Sequence, residues 1–154
     1  MKRKNIISEY LSDADLDNIA EIIGEIEKMT CGEIRVSIKK RRGFFEKKLE
    51  PREIALKQFT KLRMNETRDK TGILFFLIFD EKKFEIIADE GINSKIPPDF
   101  WTEISMNIKV HFTNKEFHKG IIHVISEMGK VLIKEFPVRD DDKNELPNEV
   151  IINP

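Results

Sequence analysis

Gly72-Ile73-Leu74-Phe75-Phe76-Leu77-Ile78-Phe79 is apolar at every position after its glycine and is bounded by Thr71 and Asp80. A strand with no polar side needs cover on both faces, so this run predicts a central strand sandwiched between two layers. Downstream, Asp80-Glu81-Lys82-Lys83 turns the chain into Phe84 to Ala88, the simplest antiparallel partner. Upstream, Glu33 to Lys39 alternates: Ile34, Val36 and Ile38 fall on one side, and Glu33, Arg35, Ser37 and Lys39 on the other. That pattern predicts a half-buried strand near a sheet edge.

Helices fill the intervals. Ser12 and Asp15 form a capping box before Leu16, Ile19, Ala20, Ile23 and Ile26, which predicts a helix from about Asp13 to Lys28 that ends ahead of Gly32. Pro51 opens a second amphipathic helix reaching about Met64. Pro97-Pro98 opens a third, with Trp101, Ile104, Ile108 and Phe112 on one face and core packing as the expected role of Trp101. Thr113 and Glu116 read as the capping box of a deeply packed fourth helix that stops before Pro137. A helix between the first two strands makes them parallel through a right-handed crossover and lets helices cover both faces. The expected fold class is therefore α/β: a three-layer α/β/α sandwich with a small mixed central sheet. Residues 1–11 are a loosely held lead-in, 12–136 the domain, and 137–154 an extended tail whose Val150-Ile151-Ile152 can dock on the body.

The 154 residues fit one domain, and 27 Lys and Arg against 28 Asp and Glu leave a net charge of −1. Such a balance disfavours nucleic acid as a partner. No apolar run approaches the ~20 residues of a membrane-spanning helix, and the start lacks a signal-peptide core, so a soluble, cytoplasmic protein is expected. The single cysteine, Cys31, cannot form an internal disulfide and suits a small space-filler at a strand entrance.

Several chemistries fail on spacing. There is no phosphate-cradling glycine loop, no GxGxxG and no paired-cysteine metal motif, so no nucleotide or organic cofactor is expected. Arg35 follows Cys31 by four positions, too few for a phosphate-binding thiolate loop, and Lys82 stands where an aspartyl-phosphate enzyme places its second aspartate. Asp140, Asp142 and Asn144 begin like a calcium loop, but Glu145 replaces its glycine and Ile151 its closing glutamate. His111, His118 and His123 lie seven and five residues apart, which puts no two imidazoles on one helical turn. The basic loop Lys39 to Lys48, with Phe44 and Phe45 inside it, offers a peripheral membrane or anionic-partner contact; a solvated loop is the competing reading.

The topology itself makes the more informative prediction. With parallel first and second strands and a returning third, Glu33, the Thr67-Arg68-Asp69 turn and Asp89-Glu90 converge on one border of the sheet, joined by Asp99 at a helix start. Carboxylates, a threonine hydroxyl and loop carbonyls are hard oxygen donors suited to Ca²⁺ or Mg²⁺. The candidate metal ligands are thus Glu33, Thr67, Asp89, Glu90 and Asp99. Ion pairing to Arg68, Arg35 and Lys70, with helix capping, is the structural alternative.

Thr30-Cys31-Gly32-Glu33-Ile34-Arg35-Val36, Thr67-Arg68-Asp69-Lys70-Thr71-Gly72-Ile73-Leu74, Ala88-Asp89-Glu90-Gly91-Ile92, Trp101 and the Phe117 to Gly120 stretch together resemble the TPM domain. That family includes thylakoid-lumen phosphatase-like proteins and bacterial relatives. The likeness runs from about Leu11 to Phe136, and Phe136-Pro137 with Asn144-Glu145-Leu146-Pro147 resembles its short soluble bacterial branch. The resemblance implies an α/β/α domain, weak acid phosphatase activity as ascribed to plant members, and divalent-cation binding as in some members. Two departures stand out: Ile6 and Ile7 occupy the neighbourhood of an aspartate common in exported relatives, and Asp89-Glu90-Gly91 keeps one glycine of a Gly-x-Gly, with Asp99 about one position late. An oxygen-rich border without a recognisable nucleophile and base makes a binding module for a protein partner or small phosphorylated ligand the leading expectation. A metal-assisted phosphomonoesterase, with Asp99 as general base, is the alternative.

Overall fold

The computed structural model describes residues 5–139 and 146–153. Asp140, Asp142, Asn144 and Glu145 of the calcium-loop comparison lie outside them. The elements are α1 (Asp13–Glu27), β1 (Glu33–Lys39), α2 (Pro51–Lys61), β2 (Gly72–Ile78), β3 (Lys83–Ala88), α3 (Glu90–Asn93), α4 (Pro98–Thr113), α5 (Phe117–Glu135) and β4 (Ile151–Asn153). The strand order is β3-β2-β1-β4; β1 runs parallel to β2 and β4, and β3 antiparallel to β2.

Side-chain alternation along β2 divides the core in two. Ile73, Phe75 and Leu77 join Ile34, Val36 and Ile38 of β1 beneath α1, α4 and α5, with Ile23, Ile108, Ile121 and Leu132 among the buried contributors. Leu74, Phe76 and Ile78 face the other way, onto Ile54, Ala55 and Phe59 of α2 and onto Met64. This is the expected three-layer sandwich, with β2 fully covered on both sides. The Ser12 capping box also forms: Ser12 Oγ accepts from the Asp15 amide at 3.0 Å, and Asp15 Oδ2 from the Ser12 amide at 2.9 Å.

Two expectations need correction. First, β1 lies next to the short edge strand β4, as expected near a sheet edge, but it is not half-buried: all seven of its residues are buried, because α2 and the returning tail cover its polar side. Second, Thr113 is the last residue of α4, its hydroxyl donating back to the Lys109 carbonyl at 2.7 Å; the chain turns through Lys115 at φ 59°, and α5 starts after Glu116 without a side-chain cap. Thr113 is thus held in the last turn of α4 rather than in the extended conformation an N-cap needs. The tail docks on the body as expected, and it does so as an added strand one residue further on, Ile151–Asn153, with Ser37, Ile38 and Lys39 opposite Ile151, Ile152 and Asn153. The short helix α3 was not anticipated. Trp101 packs only partly against the core and stacks edge-on with Phe100 at 5.1 Å.

Candidate functional site

The backbone convergence predicted from topology is present. The Glu33 amide donates to the Thr71 carbonyl at 3.0 Å, Gly72 lies opposite Glu33, and the Asp89 amide donates to the Gly72 carbonyl at 2.9 Å. The start of β1, the start of β2 and the end of β3 thus meet at one border. Thr67 closes the turn that enters β2: its hydroxyl accepts from the Thr71 amide at 3.1 Å, and Lys70 takes a left-handed φ of 58°. Gly91 lies flat against this turn. A Cβ there would stand 2.3 Å from the Asp69 carbonyl oxygen and 2.5 Å from that of Lys70, closer than any side chain allows.

The side chains diverge more than the backbone. Glu33 is 2% exposed and hydrogen-bonded to Glu27, at the last turn of α1. Burial, and next the charge of Glu33, push the Glu27 carboxyl up to about 9, so the two carboxyls hold a proton between them at neutral pH. Glu27 Oε2 also accepts from the Ile34 amide at 2.7 Å, satisfying a backbone donor where β4 is too short to reach. Arg35, 7% exposed, sits in the field of Glu149, Glu27 and Glu33, and its Nε is buried without a hydrogen-bond partner.

Asp89 caps α3, its Oδ1 accepting from the Glu90 amide at 2.8 Å, while its Oδ2 is buried with no hydrogen-bond partner. Glu90 and Asp99 are exposed, the latter in the first turn of α4. Asp69 is engaged by Arg68 at 3.2 Å and by Arg139. Among the described residues, no three His, Cys, Asp or Glu side chains cluster closely enough to hold a metal ion. An oxygen site at this border would therefore be built from Asp89 and turn carbonyls rather than from a carboxylate cage. A buried, unpartnered carboxylate oxygen is costly without a counter-charge, and in that respect Asp89 fits a divalent cation.

Sequence reasoning missed Glu27. The available signal was an acid in the last turn of α1, where the helix dipole disfavours negative charge and no basic residue accompanies it. In the basic loop, Lys39, Lys40, Arg41 and Arg42 are paired with Glu46, Glu9, Asp80 and Glu81 at 2.8, 2.7, 3.7 and 2.8 Å. Phe44 and Phe45 stand 77% and 93% exposed. His111 and His123 face one another across α4 and α5 with ring centres 5.6 Å apart. Among the described residues no helix is long and apolar enough to cross a membrane.

A family model for the TPM domain, whose label also carries the word phosphatase, matches residues 7–131. The NMR structure of the BA42 protein from the psychrophilic bacterium Bizionia argentinensis is 31% identical, covering 96% of this chain and 98% of its own, with a TM-score of 0.85. The N-terminal domain of the cg2496 protein from Corynebacterium glutamicum shares the fold at 10% identity and a TM-score of 0.61, over 81% of this chain and 76% of its own. No curated protein matches.

Proposed function

Because this chain belongs to the TPM-domain family, we propose that it is a binding module whose sheet border takes Ca²⁺ or Mg²⁺ through Asp89. The supporting observation is the buried Asp89 Oδ2 without a hydrogen-bond partner, beside a turn whose Asp69 and Lys70 carbonyls crowd Gly91. A cation bound there would supply positive charge for a carboxylate or phosphate on a ligand. Glu33 is not a ligand in this reading, since its carboxyl is committed to Glu27. Titration calorimetry with CaCl₂ and MgCl₂ tests the reading: saturable heat on the wild type should vanish in Asp89→Asn. Asparagine caps a helix as well as aspartate does, so that variant keeps its fold. Absence of saturable heat at millimolar ion on the wild type removes the cation.

The phosphomonoesterase alternative draws support from the family model's label. It requires turnover of an aryl phosphate that survives purification and is lost in Asp89→Asn. The peripheral membrane contact through Lys39–Lys48 draws support from the exposed Phe44 and Phe45. It is weakened by the four carboxylate pairings of that loop's cations.

A further inference from the structure

β3 is the terminal strand of the sheet, and its outer edge runs along the floor of a groove of about 550 Å³. The Asp89 amide points to β2, where it meets the Gly72 carbonyl. By strand alternation Ile87, Glu85 and Lys83 point the same way, and the amides and carbonyls of Phe84, Ile86 and Ala88 point outward. Two outward carbonyls confirm the phase: Ala88 accepts from Asn93 Nδ2 at 2.8 Å, and Ile86 from Arg52 at a weak 3.4 Å. The outward groups at Phe84 and the outward amide of Ile86 face the groove.

Its walls come from both helix layers. Pro51 and Arg52 of α2 stand on one side; Trp101, Ser105 and Lys109 of α4 stand on the other. Arg52, Lys82, Lys83 and Lys109 line the groove, against one lining carboxylate, Glu85, which Arg52 engages at 3.3 Å. We propose that this edge docks an acidic, extended peptide segment of a partner protein as a fifth strand. Its backbone would pair with Phe84 and Ile86, and its side chains would alternate between Trp101 on α4 and Arg52 on α2. Main-chain pairing gives such a site its affinity and the walls give it selectivity. A second copy fits the groove poorly, because its own β3 carries the same flanking helices and the same lysines.

The probe is a blocked nine-residue peptide alternating Glu and Val, added to the full chain, with a Lys/Val counterpart and two versions N-methylated at alternate backbone positions. Trp101, the single tryptophan, reports binding by fluorescence. Amide exchange at Phe84 and Ile86 reports pairing. Strand addition slows exchange at both residues, and it predicts that only one of the two N-methylated peptides loses binding. The Lys/Val peptide and the exposed Lys82→Glu/Lys109→Glu variant should each bind about tenfold more weakly. Equal binding of both N-methylated peptides, indifference to peptide charge, or no binding of the acidic peptide would overturn the proposal. So would concentration-dependent dimerisation in sedimentation that protects the same amides without peptide.

Discussion

Ile34, Val36 and Ile38 on one side of β1, and Glu33, Arg35, Ser37 and Lys39 on the other, are all buried, yet different forces hold them. The first three share a thick apolar layer with α1, α4 and α5. The polar four are held by discrete partners: Glu33 by Glu27 at the end of α1, Ser37 by donating to Gln58 Oε1 at 3.2 Å and accepting from Asn153 at 2.9 Å, and Lys39 by Glu46 at 2.8 Å. Apolar burial is non-directional and tolerates small shifts, whereas a buried charge loses its compensation when a single partner is removed. The two sides of the sheet should therefore fail in different ways.

The largest expected effect is on packing. Phe75 and Phe76 are adjacent and fully buried but point to opposite layers. Each Phe→Ala change should cost about 3–5 kcal/mol in denaturant unfolding, with Phe75 the costlier because three long helices fix its cavity while the α2 side can collapse. An equal or reversed order would break the comparison. Next comes Arg35→Leu, expected to cost roughly 3 kcal/mol by leaving the Glu27 carboxyl and the buried Glu33 carboxyl without their neighbouring cation. A neutral or stabilised variant would mean that this guanidinium does not hold the polar side together.

The remaining effect is a pH slope. The folded Glu27 carboxyl titrates well above its unfolded counterpart, so the folded state binds the extra proton between the two values. Its contribution is complete at acid pH and is lost as pH rises toward about 9. Stability should decline as pH rises through that window, and Glu27→Gln should flatten the decline. Thermal melts from pH 5 to 9 on both proteins read the difference directly.

The sequence was most legible where one force dominates. A run apolar on both faces can only be a covered strand, and β2 is one. The cover over the polar side of β1 is not legible, because period-two alternation looks the same whether the polar row meets solvent or meets Gln58 and Asn153, the latter 116 positions away from Ser37. Thr113 and Glu116 have capping-box spacing, but that spacing does not say whether the preceding helix has already ended. At the candidate site, topology placed the backbones of Glu33, Gly72 and Asp89 on one border; the direction of each carboxylate depended on contacts such as Glu27 to Glu33 that no spacing encodes. The groove along β3 stayed invisible because its walls come from α2 and α4, which are separated in the chain and meet only as opposite layers.

The three-residue strand β4 also shapes how the molecule breathes. It closes the longest loop in the sheet with the fewest rungs, so its detachment is the cheapest opening that still exposes polar groups on β1. A probe that reads solvent entry at Ser37 or Lys39 would then register a local excursion of the tail, at a rate unrelated to global melting. Apparent stabilities measured at that corner and at β2 belong to two separate processes.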